Sequence, residues 1–389
     1  MHEKIRKEKI QRLAQWAQGQ PQPPVRIDLE PTLNCNLKCK FCWQRSEERL
    51  RQCNYSNPLS EERMLQLVDE AAEYGVLEWQ IAGGWEPMAK PEFAMQLITK
   101  IKKHSMFGCL TTNGTLFSEK NIKQLVEIEW NQILFSLEGP HASIHDYMTG
   151  VRGSFNRSVK AMSLFNKYKQ KLHSVKPVFS FHTVLTNINY MHLKRMIEWS
   201  YNLRTCGVCF EPINVWSEDG AKLKLSDEET KEFQRLIPEA LAFAKKLNVP
   251  TNLENLQETR LVEKKKMDEI LLKDVEEIKQ KSAKKYPLFN ALCYNPWLNL
   301  EIRISGHVVP CRLCDTHQYA SKLQTKTLKE IWLGKYFKRI RSQIIAKRLP
   351  RYCKTCASGV VVDFREIRKE LSNSRNGLIK IITTIKNQF

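Results

Sequence analysis

Three cysteines near the N-terminus are spaced for metal chemistry. Cys35, Cys39 and Cys42 form a Cys-x-x-x-Cys-x-x-Cys pattern within eight residues, and Phe41 stands directly before the third cysteine. Thiolates bind zinc and iron–sulfur clusters, but a structural zinc site needs four ligands, whereas three thiolates on a 4Fe-4S cluster leave one iron open. The spacing therefore favours a cluster with an open iron over stray buried thiols, or over a zinc site that borrows Cys53.

A second group of cysteines lies toward the C-terminus. In chain order it contains Cys293, Cys311, Cys314, Cys353 and Cys356. The two Cys-x-x-Cys pairs have the spacing of a zinc ribbon, so their spacing alone leaves zinc and iron–sulfur equally open. The upstream cysteine and the three-cysteine loop favour iron–sulfur. Zinc at the two pairs would indicate another class of function, a non-catalytic nucleic-acid-binding protein with a zinc ribbon and basic arms.

The composition is that of a globular protein with a large positive charge. The chain has 389 residues, 42% of them hydrophobic, and its 62 Lys and Arg against 42 Asp and Glu give a net charge of +20. These values exclude fibrous and disordered proteins, and the charge favours acidic partners. The N-terminus lacks a secretory signal, no apolar run approaches 18 residues, and twelve cysteines are present. We therefore predict a reducing cytoplasm, where clustered cysteines more often bind metal than form disulfides.

Strand-like runs alternate with helical periodicity over residues 25–250. Strands are predicted over 25–30, 77–82, 108–113, 133–138, 178–185 and 207–213, and helices over 61–74, 91–104, 118–127, 155–168 and 190–203. Ser226 opens a further helix, with Glu229 completing a capping box. Because each helix must cross back over the sheet, the strands are predicted to be parallel. The predicted fold class is α/β, a partial (βα)6 barrel of the TIM type with the cysteine loop after its first strand.

The remaining chain is divided into flanking segments. We predict a basic N-terminal helix or arm over 1–24, the barrel over 25–250, a charged helical bridge over 251–291, a small α+β domain over 292–362 and a basic amphipathic tail over 363–389. In the small domain, strands over 298–304 and 307–310 flank a turn at Ser305-Gly306, and a helix is predicted over 328–346. The tail is expected to pack on the domain surface, with membrane or partner docking as the alternative.

The three-cysteine loop, with its aromatic residue before the third cysteine, resembles the signature of the radical SAM superfamily. Further motifs follow the predicted strands in the order that this family shows: Gly83-Gly84-Trp85-Glu86-Pro87, Thr112-Asn113-Gly114, Ser136-Leu137-Glu138-Gly139 and then Arg152. The resemblance implies a 4Fe-4S cluster held by Cys35, Cys39 and Cys42, with S-adenosylmethionine at its open iron. It also implies cofactor contacts from Phe41, Gly83, Gly84, Glu86, Asn113, Ser136, Glu138 and Arg152.

The C-terminal cysteines resemble the SPASM/twitch extension found on many members of that superfamily. Its opening pattern, C-x(9–15)-G-x4-C, is met by Cys293, Gly306 and Cys311. The full SPASM set of seven cysteines is absent, so the resemblance implies one auxiliary 4Fe-4S cluster, with Cys293, Cys311, Cys353 and Cys356 as its ligands. Cys314 is left over as a free thiol near the cluster, an alternative ligand or a hydrogen-atom donor, in that order of preference.

This resemblance implies an enzyme that reductively cleaves S-adenosylmethionine to a 5′-deoxyadenosyl radical and abstracts hydrogen from a substrate C–H bond. The auxiliary cluster is expected to assist substrate oxidation or electron transfer, in an oxidoreductase or epimerase type of reaction, with reduced flavodoxin or ferredoxin as the electron donor. Only about 24 residues precede the first strand, too few for a leader-binding domain. A small molecule, anionic or sugar-like, is therefore the expected substrate, and a peptide or protein is the alternative. Nucleic acid is not expected as a partner, and membrane contact is expected only through the tail.

Overall fold

A computed structural model describes residues 2–46, 55, 57–258, 267–277, 286–314 and 319–373. Cys53, the charged run 263–266 and the apolar cluster predicted in the tail, 378–385, lie outside the described residues. The free cysteines of the described part include both groups singled out from the sequence.

One sheet runs through the described molecule. Its strands are β1 (Arg26–Leu29), β2 (Glu78–Ile81), β3 (Phe107–Thr112), β4 (Gln132–Ser136), β5 (Val178–Leu185), β6 (Val208–Pro212), β7 (Asn299–Ile302) and β8 (Val308–Val309). Their order is β6-β5-β4-β3-β2-β1-β7-β8, and every pair is parallel except β7–β8. The α/β class and the partial barrel are confirmed. The predicted strand 178–185 is matched residue for residue, and the other five barrel strands agree within one or two residues.

Helices connect and flank these strands. They are α1 (His2–Ala17), α2 (Glu61–Tyr74), α3 (Pro91–Lys103), α4 (Glu119–Glu127), α5 (Ala142–Thr149), α6 (Ser154–Lys171), α7 (Leu193–Asn202), α8 (Glu218–Ala221), α9 (Asp227–Leu247), α10 (Met267–Glu277), α11 (Asn295–Leu298), α12 (Leu328–Trp332), α13 (Lys335–Ile345) and α14 (Ser358–Asn373). The capping box of Ser226 and Glu229 at the start of α9 is confirmed. Within the described chain no helix is long and apolar enough to span a membrane.

The strand order sets the two faces of the sheet. Because β1 to β6 are neighbours in chain order and right-handed crossovers are the rule, the connecting helices cover one face, and the sheet curls with the other face inside. In β4, β5 and β6 the residues alternate between buried and half-buried. The buried set, for example Phe135, Phe181 and Phe210, belongs to the main core. The half-buried set therefore lines the inner face.

The C-terminal segment extends the barrel sheet directly. β7 pairs in parallel with β1, with Ile27 opposite Leu300 and Leu29 opposite Ile302. The hairpin predicted around Ser305-Gly306 is present, and Gly306 has a φ of 79° that favours glycine. The barrel and the small domain thus share one sheet, while the domain boundaries themselves stay predictions.

Two helix predictions were wrong in extent. The helix predicted over 328–346 is two helices, because Gly334 is extended and a side chain there would lie 2.8 Å from the Glu330 carbonyl oxygen. The charged bridge is not one long helix in its described part: a 3-10 turn spans Leu253–Leu256, and α10 covers Met267–Glu277.

Candidate active site

The three-cysteine loop leaves β1 at its C-terminal end and is fixed by its backbone. The amide of Lys38 donates to the carbonyl of Thr149 over 2.8 Å, and the amide of Lys40 donates to that of Met148 over 3.0 Å. Gly150, with a φ of 67°, lets this approach occur, since an added Cβ would lie 2.6 Å from the Lys38 carbonyl oxygen. The C-terminal end of α5 therefore holds the cysteine loop in place. The three cysteines of the loop are half-buried.

Asparagines connect the cysteine loop to the turn after β3. Asn113 donates from Nδ2 to Asn36 Oδ1 over 3.0 Å, and Asn36 donates from Nδ2 to Thr115 Oγ1 over 2.8 Å. The Oδ1 of Asn113 accepts the amide of Thr115 over 2.9 Å. The structure thus brings the sequence-predicted Asn113 to the cysteine loop, as a residue that holds the turn and the loop together.

The glycines after β2 lie against the end of β1. Gly83 and Gly84 have φ angles of 81° and 42°, in the region that favours glycine. A Cβ on Gly84 would lie 3.1 Å from Glu30 Cβ and 3.3 Å from the Thr32 carbonyl oxygen. Both the backbone conformation and the close approach therefore require glycine, at a place where Gly83 is half-buried and Gly84 is buried.

Glu86 has a buried carboxylate that is already engaged by protein donors. Its Oε1 accepts from Thr112 Oγ1 over 2.6 Å and from the Met88 amide over 3.0 Å, while Oε2 accepts the Asn113 amide over 2.7 Å. Burial raises the pKa of Glu86, and these donors oppose the effect. In this structure the carboxylate joins the glycine motif to the turn after β3.

Glu138 lies beyond the end of β4, next to a buried imidazole. Its Oε2 accepts the Val184 amide over 2.8 Å, and burial raises its pKa to about 8, so it is mostly protonated at neutral pH. Its amide donates to His145 Nδ1 over 3.0 Å, and burial lowers the pKa of His145 to about 4. The neutral ring therefore carries its hydrogen on Nε2, which is buried and has no hydrogen-bond partner among the described residues.

The other three predicted contact residues have different surroundings. Phe41 packs against a small apolar cluster of Met148, Ile213 and Leu223. Ser136, the last residue of β4, is half-buried and pairs in register with His182. Arg152 is exposed, in the turn between α5 and α6. The structure brings the first two to the C-terminal ends of the barrel strands and gives Arg152 no described contact there.

The C-terminal thiols converge on one another. Burial raises the pKa of Cys293 to about 12, and proximity to Cys356 adds to the rise. Burial also raises the pKa of Cys311 and of Cys353, and proximity to the other thiols of the group raises both further. Cys314 is fully buried, with its sulfur 3.4 Å from the hydroxyl of Tyr336. The chain thus brings thiols that are 63 positions apart in the sequence near one another.

An ionic network, which the sequence analysis missed, lies between the two groups of cysteines. Arg303 donates from Nη1 to Glu30 Oε1 over 2.8 Å and from Nη2 to the Arg312 carbonyl oxygen over 2.6 Å. Burial raises the pKa of Glu301 to about 7, which the two arginines oppose. The sequence signal for this network was the presence of acidic and basic residues on two predicted strands. Those residues become neighbours only because β1 pairs with β7.

Two family models match the sequence of this chain. The Radical SAM superfamily model matches residues 29–200, and the SPASM model, an iron–sulfur cluster-binding domain, matches residues 293–357. The chain belongs to the radical SAM superfamily. It carries a SPASM domain, which assigns iron–sulfur chemistry, and not a zinc ribbon, to the C-terminal region. These matches imply a 4Fe-4S cluster, S-adenosylmethionine and auxiliary iron–sulfur chemistry.

Relatives of this radical SAM chain include proteins with different functions. It is 26% identical over 178 residues to the tungsten-containing aldehyde ferredoxin oxidoreductase cofactor-modifying protein of Pyrococcus furiosus, covering 45% of this chain and 48% of that protein. It is 24% identical over 349 residues to the PqqA peptide cyclase of Ruegeria pomeroyi, covering 88% of this chain and 81% of that protein. The chain thus spans about half of the first relative and most of the second.

The fold also matches solved structures. Streptococcus suis SuiB bound to S-adenosylmethionine superposes with a TM-score of 0.62 at 18% identity, covering 82% of this chain and 68% of that chain. At this identity the likeness shows the fold. It agrees with a barrel and a C-terminal extension formed by one continuous chain.

The donors present fit the groups that the family implies. Three half-buried thiols follow β1, and a second set of thiols, half-buried except for the buried Cys314, lies in the SPASM domain. Thiols with raised pKa values ionise when a metal replaces the proton, so binding there would be accompanied by proton release. In the part of the chain that the structure describes, no three His, Cys, Asp or Glu side chains are grouped to hold a metal ion.

Proposed function

We propose that this radical SAM enzyme modifies a peptide or protein substrate. The observation that carries the proposal is the alignment with a peptide cyclase, which continues through both the barrel and the SPASM region for 349 residues. The comparisons favour this alternative over the small, anionic or sugar-like molecule that the sequence analysis expected. The type of reaction, oxidation or epimerisation, also stays a proposal.

The proposed cofactor residues are those that the resemblance to the radical SAM superfamily implies. Cys35, Cys39 and Cys42 would hold the first cluster, and Cys293, Cys311, Cys353 and Cys356 the auxiliary cluster. The backbone of Gly83 and Gly84 would receive S-adenosylmethionine, with Phe41, Ser136, Glu138 and Arg152 proposed as further contacts. Glu86 and Asn113 would act by holding this backbone in place, because their polar atoms already bind the loops.

The inner face of the sheet offers a polar lining for a substrate. Gln80 donates to Thr111 Oγ1 over 2.6 Å between β2 and β3, and Gln132 donates to Ser180 Oγ over 3.5 Å between β4 and β5. Thr111, Gln132 and Ser180 are half-buried and Gln80 is buried, whereas the opposite face of the same strands is packed with apolar residues. Amide and hydroxyl groups of this kind suit the repeating amides of a peptide backbone.

The chain's own residues would orient and enclose the reacting groups. When bound, the first cluster and S-adenosylmethionine supply an organic radical that removes a hydrogen atom from the substrate. Protonated Glu138 can donate a hydrogen bond as well as accept one, and His145 fixes its backbone. The apolar cluster around Phe41 would exclude water from this side of the site.

Reduced flavodoxin or ferredoxin is the proposed electron donor. The segment from Lys322 to Lys354 exposes ten Lys and Arg side chains and one acidic side chain, Glu330, whose carboxylate is engaged in the capping box of α12. An acidic redox protein would be attracted to such a surface. A reducing cytoplasm stays the proposed compartment, since the proposed cluster ligands must be kept as free thiols.

Deuterium transfer tests the substrate class. Cells of the source organism are grown in deuterated medium, and their extract is separated into peptide-sized and metabolite-sized fractions. The reconstituted, reduced protein is incubated with each fraction and S-adenosylmethionine, and deuterium is measured in the 5′-deoxyadenosine formed. We expect deuterium only with the peptide-sized fraction, and we expect protease treatment of that fraction to abolish it.

Each contrary outcome has a defined meaning. Deuterium transfer that persists after protease treatment, or that occurs with the metabolite fraction alone, would contradict the peptide proposal and favour a small-molecule substrate. The Cys35/Cys39/Cys42→Ala variant is the matched control, because it removes the first cluster's thiols and leaves the SPASM cysteines in place. 5′-Deoxyadenosine formed by this variant would contradict the assignment of the first cluster.

A further inference from the structure

Arg303 occupies the space between the two groups of cysteines. It directly follows β7, its side chain is buried, and its guanidinium binds two different elements. Nη1 donates to Glu30 at the end of β1, and Nη2 donates to the carbonyl oxygen of Arg312, the residue after Cys311. One planar group therefore contacts both the barrel and the loop of an auxiliary-cluster thiol.

The same guanidinium also reaches the three-cysteine loop. Its central carbon lies 5.5 Å from the ring centroid of Trp43, the residue after Cys42. This is the range of a cation–π contact, which is strengthened where water is excluded. Arg303 thus contacts a neighbour of a proposed ligand in each cluster, Trp43 on one side and Arg312 on the other.

Glu30 carries the contact on to the glycine motif. Its Oε2 accepts the amide of Ile304 over 3.2 Å, so the carboxylate is held from two directions by the C-terminal segment. Its Cβ and Cγ lie 3.1 and 3.4 Å from the position that a Cβ on Gly84 would take. The Glu30 side chain therefore lies close beside the Gly83-Gly84 backbone, and a displacement of either one would require the other to adjust.

We propose that Arg303 is a positioning residue that couples S-adenosylmethionine binding to the auxiliary-cluster loop. This inference rests on the proposed function, in which S-adenosylmethionine binds at Gly83-Gly84. Cofactor binding at the glycines is transmitted through Glu30 to the guanidinium, and from there to the carbonyl beside Cys311. Coupling of this kind is reciprocal, so the state of each site changes the free energy of the other.

The geometry needs arginine and not simply a positive charge. The guanidinium presents several donors in a fixed plane and stacks on an aromatic ring, whereas lysine offers one compact ammonium. Arg303→Lys keeps a cation for buried Glu30 but cannot reach Glu30, the Arg312 carbonyl and Trp43 together. Arg303→Met removes the charge as well.

The test uses the full chain with both clusters loaded and their iron content verified. S-adenosylmethionine affinity is measured from the change in the EPR signal of the reduced first cluster. The reduction potential of the auxiliary cluster is measured by EPR-monitored titration with and without S-adenosylmethionine. In the wild type we expect the cofactor to shift this potential. In Arg303→Lys we expect the Kd to rise by about tenfold and the shift to disappear.

Arg12→Met is the matched control for a purely structural effect. Arg12 is buried to the same degree as Arg303 and donates to the carbonyl oxygens of Pro23, Pro24 and Gly75, away from both groups of cysteines. We expect Arg12→Met to lower the melting temperature while the Kd and the potential shift of the loaded protein stay as in the wild type. Arg303→Met should raise the Kd at least as much as Arg303→Lys.

The outcomes separate this inference from the proposed function. A wild type that holds no cluster, or shows no response to S-adenosylmethionine, would overturn the proposed function and with it the coupling. A wild type that responds, with an Arg303→Lys variant of unchanged Kd and unchanged potential shift, would overturn the coupling alone. So would variants that fail only to load the auxiliary cluster, because Arg303 would then serve assembly of that site.

Discussion

Arg303 donates to Glu30 across 2.8 Å although 273 positions separate the two residues in the chain. Both side chains are buried, and the carboxylate also accepts the amide that follows Arg303. A buried ion pair of this kind adds little net stability, but removing one partner leaves an uncompensated charge. Its value here lies in fixing the position of β7 beside β1, and of the SPASM loop beside the glycine motif.

Iron content should divide between the two groups of cysteines. We expect about eight irons per chain after anaerobic reconstitution, and about four in the variant with Cys35, Cys39 and Cys42 changed to Ala, because each 4Fe-4S cluster is held by its own thiols. Iron counting and EPR with and without S-adenosylmethionine check this. Four irons plus zinc in the wild type would contradict the auxiliary cluster.

Glu86→Gln should destabilise the fold through mismatched hydrogen bonds. The Oε2 atom accepts the Asn113 amide, and an amide nitrogen at that position would place two donors against each other. We expect a loss of about 1–3 kcal/mol in the free energy of unfolding, measured by chemical denaturation. Glu92→Gln, at an exposed site on α3, should be neutral. Equal stability of the two variants would show that Glu86 does not hold the turn.

Gly84→Ala should impair both folding and cofactor binding. The left-handed backbone alone costs an alanine about 1–2 kcal/mol, and the Cβ would press on Glu30 and the Thr32 carbonyl. Gly19→Ala is the control, since Gly19 also has a positive φ but no atom within 4 Å of the added Cβ. Thermal denaturation should show a larger loss for Gly84→Ala. If both variants lost the same stability, the close approach of Glu30 to Gly84 would make no contribution to the effect of the substitution.

Glu138 should make stability fall as pH rises. Burial raises its pKa to about 8 from an unfolded value near 4.5, so the folded state keeps a proton that the unfolded state releases between these values. The resulting penalty grows across that window and is complete above pH 8. Glu138→Gln removes it and should stabilise the protein by about 1–3 kcal/mol more at pH 8.5 than at pH 5.5. A gain independent of pH would show that the group does not titrate in this range.

Salt should slow reduction by an acidic flavodoxin. Exposed basic residues on α13 would steer that encounter, and screening weakens it. We expect Lys338→Glu/Arg339→Glu to lower the anaerobic stopped-flow reduction rate several-fold at low salt and little at high salt. The control Lys120→Glu/Lys123→Glu places the same charge change on α4, and should leave the rate close to that of the wild type.

The local part of this molecule could be predicted from the sequence. Apolar alternation located β5 to the residue, and three thiols in eight positions identified the loop after β1. Contacts between distant segments could not be predicted, because nothing in the sequence near Glu30 indicates a guanidinium at position 303. The role of Glu86 in holding the turn after β3 could not be predicted either. A sequence motif locates the residue in the chain but does not show which three donors bind its carboxylate.

The pairing of β7 with β1 has a consequence for synthesis on the ribosome. β1 ends at Leu29, whereas its second neighbour β7 begins at Asn299, so β1 is synthesised long before β7. For that interval one edge of β1 has open amides and carbonyls, which can recruit another nascent chain. An arrest after the barrel should therefore yield an aggregation-prone species that is rescued when β7 emerges.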